Sequence, residues 1–396
     1  MTRQTFLTKI CLIHQTFLTE ICLMRQTFWS WQLLIQDIAQ DGFRINCVSS
    51  DRTKDLINLH LSTILSSSNV INPYNDSLNS YKDMRPFLFR IKVAICFLLL
   101  LLTMACGRRK EGDRVRAVYY WNTTFRIDSL KRDFLDRHQI GKIYVRYFDV
   151  VPDESGGFPM PNATIRIDSV PADLNREIVP VVFILPDALD CDRRRLADMI
   201  LRRVKQMSET HGMGTVTELQ IDCDWTRSTR DDFFDLMQSL KDMTAKDGIT
   251  LSSTIRLHQL AGSPPPADKG VLMVYNTGDM RDIGKEKPIL DPDDVMPYLK
   301  YIKDYPLPLV SAYPIYRWDL LFRNGEFVDI MHSDDDLPVL QSDSIVVRQP
   351  SITDIIRCRR EIESRRLECA DEIILFDLNN FNIKRYDKQN FEDIFN

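Results

Sequence analysis

The stretch 218–229, ELQIDCDWTRST, decides how the rest of the chain is read. Side chains alternate across an extended strand. Leu219, Ile221, Cys223 and Trp225 then form one apolar face, and Gln220, Asp222, Asp224 and Thr226 form the other. If the second face turns inward, two carboxylates are buried side by side, about 6.5 Å apart along the strand. That is costly unless both find partners. Packing alone rarely selects such a pair. The alternatives are a functional acid pair or structural aspartates bonded to hydroxyls or arginines of the same interior.

Working outward, strand and helix patterns alternate from Arg116 onward. Apolar, β-branched or aromatic runs occupy 116–121, 142–150, 178–184, 217–225, 249–258, 270–276, 308–316 and 372–378. They are eight strand candidates. Helical spacing fills 129–138, 192–211, 229–247, 293–304 and 351–367. In 229–247, Phe233, Phe234, Met237, Leu240 and Met243 recur every three or four residues, between an N-cap at Ser228 or Thr229 and a C-cap at Gly248. SITD at 351–354 resembles a capping box with Asp in place of Glu. The links after strands two, three and six lack clear helices.

Alternating strands and helices imply a parallel sheet. The 283 residues from Arg114 to Asn396 suit a (β/α)8 TIM barrel, which needs about 250. An open doubly wound sheet would want a Gly-rich phosphate turn, but strand one leads into WNTTFRID. Asn324-Gly325, between alternating segments of 320–332, predicts a β-hairpin insertion after strand seven, at the C-terminal face of the barrel. The acidic run HSDDD at 332–336 lacks EF-hand spacing and reads as a solvated loop.

The segment before the barrel reads differently. Residues 85–106 carry Arg85, Arg90 and Lys92, then ten apolar residues from Val93 to Leu102, then LTMACG. Ten is too short for a membrane span of about 20 and suits a secretory signal. The small Ala105 before Cys106 resembles the lipobox of bacterial lipoproteins, although Thr103 stands where Leu, Val or Ile is usual. The resemblance implies lipidation at Cys106 and an outer-membrane lipoprotein facing the periplasm. An uncleaved anchor or a buried helix are the competing readings. Met84 is then the expected start, with 1–83 a non-native upstream extension, 84–106 a signal peptide, 107–115 a tether and 116–396 the barrel. QTFLTKICLIH at 4–14 recurs as QTFLTEICLMR at 15–25, which reads as duplicated upstream DNA or a short coiled-coil period.

Net charge is −5 and no long basic patch is present, which argues against a nucleic-acid partner. The basic stretch 192–205 reads as a solvated helix face. Cys191, Cys223, Cys358 and Cys369 match no metal or redox spacing. Cys358 and Cys369 lie on one predicted helix about 16 Å apart. They read as buried or neutral, with one long-range disulfide an open alternative. Without GxGxxG, GK[ST], HExxH or GxSxG patterns, no cofactor, no metal and no serine hydrolase chemistry is expected.

IDCDW at 221–225 resembles strand four of the family 18, chitinase-like glycoside hydrolases, whose pattern is DxxDxDxE. Asp222 and Asp224 match its second and third aspartates. Leu219 replaces the first, and Thr226 stands where the catalytic glutamate belongs. MVYN at 273–276 resembles that family's M-x-Y-[DN] on strand six, whose tyrosine points at the sugar. The resemblance makes Tyr275 and Asn276 pocket residues. The tryptophan that the family places on strand eight is not evident; Asp377 and Asn379 of ILFDLNN stand there instead.

Thr226 cannot protonate a leaving group near neutral pH. Cleavage usually needs carboxyls about 5 to 9.5 Å apart on either side of the scissile bond, so a second acid must come from another strand. Asp149, Asp187, Asp279 and Asp377 are candidates. Asp377 is best placed if Ile374, Phe376 and Leu378 face the helices. Arg256 on strand five is the natural partner of Asp222 or Asp224. His258 is a rim residue or a base. Tyr313, Tyr316 and Trp318 at the end of strand seven suit sugar stacking, though packing explains each singly.

Three functions remain open. The first is a lipid-anchored glycoside-hydrolase-like barrel acting on a glycan, with Asp222, Asp224 and Asp377 catalytic. The second is an inactive barrel that holds a glycan on Tyr275, Tyr313 and Trp318. The third is a structural lipoprotein in which the acids and Arg256 form a buried network.

Overall fold

The computed structural model describes residues 114–331 and 339–396. The expected upstream extension, signal peptide, lipidated Cys106, most of the tether and the HSDDD loop lie outside the described residues.

The eight expected strands form within three residues of their predicted bounds. They are β1 (Val115–Tyr120), β2 (Lys142–Val151), β3 (Glu177–Ile184), β4 (Glu218–Cys223), β5 (Thr250–Arg256), β6 (Lys269–Met273), β7 (Leu309–Pro314) and β8 (Glu372–Phe376). All neighbouring pairs run parallel, from β1–β8 round to β2–β3. β1 also pairs with β2, Tyr119 opposite Tyr144, so the ring closes. This is a (β/α)8 TIM barrel. A short antiparallel strand, Met160–Asn162, adds to β2 outside the ring.

The helices are α1 (Ser129–Arg137), α2 (Arg193–His211), α3 (Arg230–Thr244), α4 (Ile352–Arg365) and α5 (Lys388–Phe395). Thr229 stands at the start of α3 as expected, but its side chain makes no capping bond; α2 and α4 are capped by side chains. Asp192 accepts from the Arg195 backbone N–H, and Ser351 from that of Asp354. α3 ends on a 3-10 turn before Gly248, whose φ is +67°. The expected helix 293–304 is instead one α-turn, Pro292–Val295, followed by the 3-10 helix Met296–Tyr301. Pro297 is the reason: its ring removes a backbone donor and clashes with the preceding turn. Cys358 and Cys369 do not share a helix, because α4 stops at Arg365 and Cys369 sits on the 3-10 turn Leu367–Ala370. The four cysteines are free thiols.

The hairpin after β7 forms as read. Trp318–Arg323 and Glu326–Met331 pair antiparallel around Asn324 and Gly325, with φ of +53° and +86°. A third strand, Asp343–Arg348, joins on the other side of Trp318–Arg323. The sequence reading did not foresee it.

Two apolar cores result. The larger lies between the strands and the helix layer and includes Leu219, Ile221, Cys223 and Trp225. The smaller fills the barrel interior with Tyr119, Tyr144, Val181, Val271, Met273 and Ile374, among others. Below it, Lys142, Glu218, Lys269 and Glu372 come from β2, β4, β6 and β8. Alternate strands supply each layer of a TIM barrel, and here the bottom layer is ionic. Glu218 lies 3.0 Å from Lys142 and 2.8 Å from Lys269, and Lys269 lies 3.0 Å from Glu372. The Tyr144 hydroxyl donates to Glu372 at 2.6 Å. Burial pushes Glu218 up, but Lys269 and Lys142 outweigh it and hold its carboxyl below the usual range.

Candidate functional site

The C-terminal ends of the strands carry the site. On β4, Gln220 and Asp222 face the interior as the alternation requires. Gln220 Oε1 accepts from the Tyr119 hydroxyl at 2.7 Å. Asp222 is 4% exposed, and its Oδ1 accepts from Thr254 Oγ1 of β5 at 2.7 Å. The strand ends at Cys223, so Asp224 stands on the rim, with half of its side chain in solvent.

Arg256, the last residue of β5, serves both acids. Its Nε donates to Asp224 Oδ1 at 2.6 Å, and its Nη2 lies 3.8 Å from Asp222 Oδ1. Burial pushes the Asp222 carboxyl above the usual range, against Arg256 and the Thr254 bond. Burial alone would lower the Arg256 guanidinium. Asp222 and Asp224 overturn that and raise it, so it stays charged. Gln259 fixes this corner: its Oε1 accepts from the Arg256 backbone N–H at 2.8 Å, and its Nε2 donates to the Trp225 carbonyl at 3.5 Å. Sequence reading passed over Gln259. Only its position, three residues past an inward arginine, hinted at a role.

A second pair lies beside the first. Arg146 of β2 donates through Nε to Asp149 Oδ1 at 2.7 Å, and its guanidinium lies 5.3 Å from the Trp121 ring centroid. The Arg146 charge also acts on Asp222.

Aromatic rings pave the rest of the mouth around Phe376. Its ring centroid is 5.4 Å from Trp121, 5.4 Å from Tyr275 and 5.7 Å from Tyr316. Trp318 continues the row 5.6 Å from Tyr316. The Tyr316 hydroxyl donates to Asn276 Oδ1, and Asn276 holds a φ of +55°. Tyr275 is buried, and its hydroxyl has no hydrogen-bond partner among the described residues. Phe376 is the strand-eight aromatic that the sequence did not reveal as an inward residue.

Four expectations change. Tyr313 does not reach the mouth. It is fully buried in the core between strands and helices, near Arg359 and Glu363 of α4, while Ala312 takes the interior position. Thr226 does not continue the inward face. Beyond Cys223 it turns into solvent, where its backbone N–H donates to Thr229 Oγ1 at 3.0 Å and its hydroxyl meets Ser228 Oγ at 2.8 Å. Strand eight has the opposite phase to the expected one: Ile374 and Phe376 face the interior, and Ile373 and Leu375 the helices. Asp377 is therefore not brought to the acid pair. Its Oδ1 accepts from Asn382 Nδ2 at 2.5 Å, and burial pushes its pKa up to about 6, with Lys131 of α1 pulling the other way. Asn379 caps the turn Asn380–Ile383 and bonds Asn122 Oδ1 at 3.2 Å, away from the acids.

The remaining candidates are accounted for by position. His258 sits exposed on the 3-10 turn Leu257–Ala261, and burial and then Arg256 push its pKa down. Asp187 is exposed, and Asp279 is paired with Arg281.

The C-terminal face of the closed barrel thus carries an acid pair, its arginine partner and a row of aromatic rings. Solved structures of similar fold include three from bacteria. The spore cortex-lytic enzyme SleL of Bacillus cereus matches at 13% identity and a TM-score of 0.48, covering 73% of this chain and 76% of that one. A chitinase from Chromobacterium violaceum matches at 12% identity and 0.48, covering 71% and 98%. The GH18 chitinase ChiB of Flavobacterium johnsoniae matches at 10% and 0.42, covering 67% and 88%. Each likeness is one of fold. No family model matches the chain, and no curated protein sequence matches it.

Proposed function

We propose that the barrel binds a glycan at its mouth and does not cut it. The observation that carries this reading is Arg256, which engages both aspartates of the motif. Asp224 lies two residues before Thr226, the position of the missing glutamate, and it faces a guanidinium. The carboxyl whose pKa of about 6 would suit a general acid is Asp377, and Asn382 holds it. The row Trp121, Phe376, Tyr316 and Trp318 offers flat apolar faces with polar edges, the surface that pyranose rings stack on. The LTMACG stretch supports a lipid anchor at Cys106 and a place in the outer membrane facing the periplasm.

Calorimetric titration with a panel of neutral, amino and acidic tetrasaccharides tests the binding reading. Trp318→Ala should weaken any binding about tenfold, the order of one lost stacking contact. Binding that ignores Trp318→Ala would place the site elsewhere. Mass spectrometry of the native protein tests the anchor. A lipidated N-terminal Cys106 is expected, and peptides from residues 1–83 would refute it.

A further inference from the structure

Around the acid pair the carboxyls outnumber the guanidiniums. Asp149, Asp222 and Asp224 meet two guanidiniums, Arg146 and Arg256. Arg256 approaches Asp224 and Asp222 on their Oδ1 atoms. Their Oδ2 atoms accept no hydrogen bond among the described residues. One Nη2 reaches both carboxylates through their Oδ1 atoms.

The Tyr275 hydroxyl is a second, independent mark of a ligand there. Tyr275 is 5% exposed, and alternation along β6 turns it into the interior with Val271 and Met273. A buried hydroxyl without a partner is uncommon, since leaving one unpaired costs free energy. Met273 pairs with Arg256 across β5 and β6, and Tyr275 is the next inward residue after Met273, on the Arg256 side of the mouth. Its hydroxyl can donate to an open carboxylate oxygen and accept from a ligand donor.

On the glycan-binding reading, we infer that the sugar seated at the acid pair carries a free amine, as a glucosaminyl residue does. Its ammonium donates to an open oxygen of Asp222 or Asp224 and to Tyr275 Oη. It also adds a cation beside the acid pair. Charge-assisted bonds of this kind are shorter and stronger than neutral ones. A uronate or sialate in the same place would meet an uncompensated carboxylate.

The test is titration of the protein with four tetrasaccharides: glucosamine, N-acetylglucosamine, cellotetraose and an oligogalacturonate. At low salt the glucosamine tetramer should bind about tenfold tighter than the neutral two, the order that one charge-assisted bond supplies. The preference should shrink in Asp224→Asn, and also at high salt, where exposed charges are screened. Tyr275→Phe, which removes only the unpaired hydroxyl, should narrow the preference for the glucosamine tetramer. Equal or tighter binding of a neutral or acidic tetramer overturns the amine and leaves the glycan-binding reading standing. No Trp318-dependent binding of any tetramer overturns both.

Discussion

Arg256 is the residue on which the mouth depends. Its arm to Asp224 is exposed and contributes little to stability. Its arm to Asp222 faces a buried carboxylate. Arg256→Leu should therefore cost about 2–4 kcal/mol at neutral pH, because it leaves that charge uncompensated. The loss should shrink in acid, as Asp222 protonates; urea unfolding at both pH values checks this. Asp377 gives a pH signature of its own. Its folded pKa of about 6 lies above the ordinary 3.8, so the folded state holds the proton longer. Stability from this group is present below pH 4 and is lost as pH rises through 6, by up to about 3 kcal/mol. Asp377→Asn should remove that slope and stabilise the protein at pH 7. An unchanged slope would mean that burial does not govern this carboxyl.

At the scale of elements, the sequence carried most of the fold but not every phase. β4 was legible because its acids lie on one face only, so period-two alternation had a definite origin. EIILF on β8 is apolar at four of five positions and buried on both faces, as strands of closed parallel sheets are. Its alternation has no phase to read, and Asp377 was assigned to the wrong side for that reason. LVSAYP on β7 failed in the same way and misplaced Tyr313. The hairpin was legible from Asn324-Gly325 alone, because few residues accept two successive positive φ values. Gly325→Val should destabilise this turn by about 1–2 kcal/mol. Hydrogen exchange should quicken in Trp318–Arg323 and Glu326–Met331 while the barrel strands stay protected. Loss of protection throughout would show that the insertion and the barrel unfold as one unit.

At the scale of the whole molecule, ring closure makes contacts that no local pattern announces. Lys142, Glu218, Lys269 and Glu372 each begin a strand, where a lone charge reads as a solvated strand end. Closure brings them into one buried layer. Lys269→Met should leave two glutamates sharing Lys142 and cost about 3–5 kcal/mol in urea unfolding. A loss under about 0.5 kcal/mol would mean that the layer is well solvated. The acid pair and the aromatic mouth stand at the opposite end, the face where TIM barrels place their chemistry. The central claim is that this end binds sugar without cutting it. Its most direct test is mass spectrometry of oligosaccharides left with the protein for many hours, with bound and free fractions measured in the same samples. We predict intact oligosaccharide in the bound fraction and no shortened products. Shortened products that vanish in Asp224→Asn would contradict the claim and restore a hydrolase.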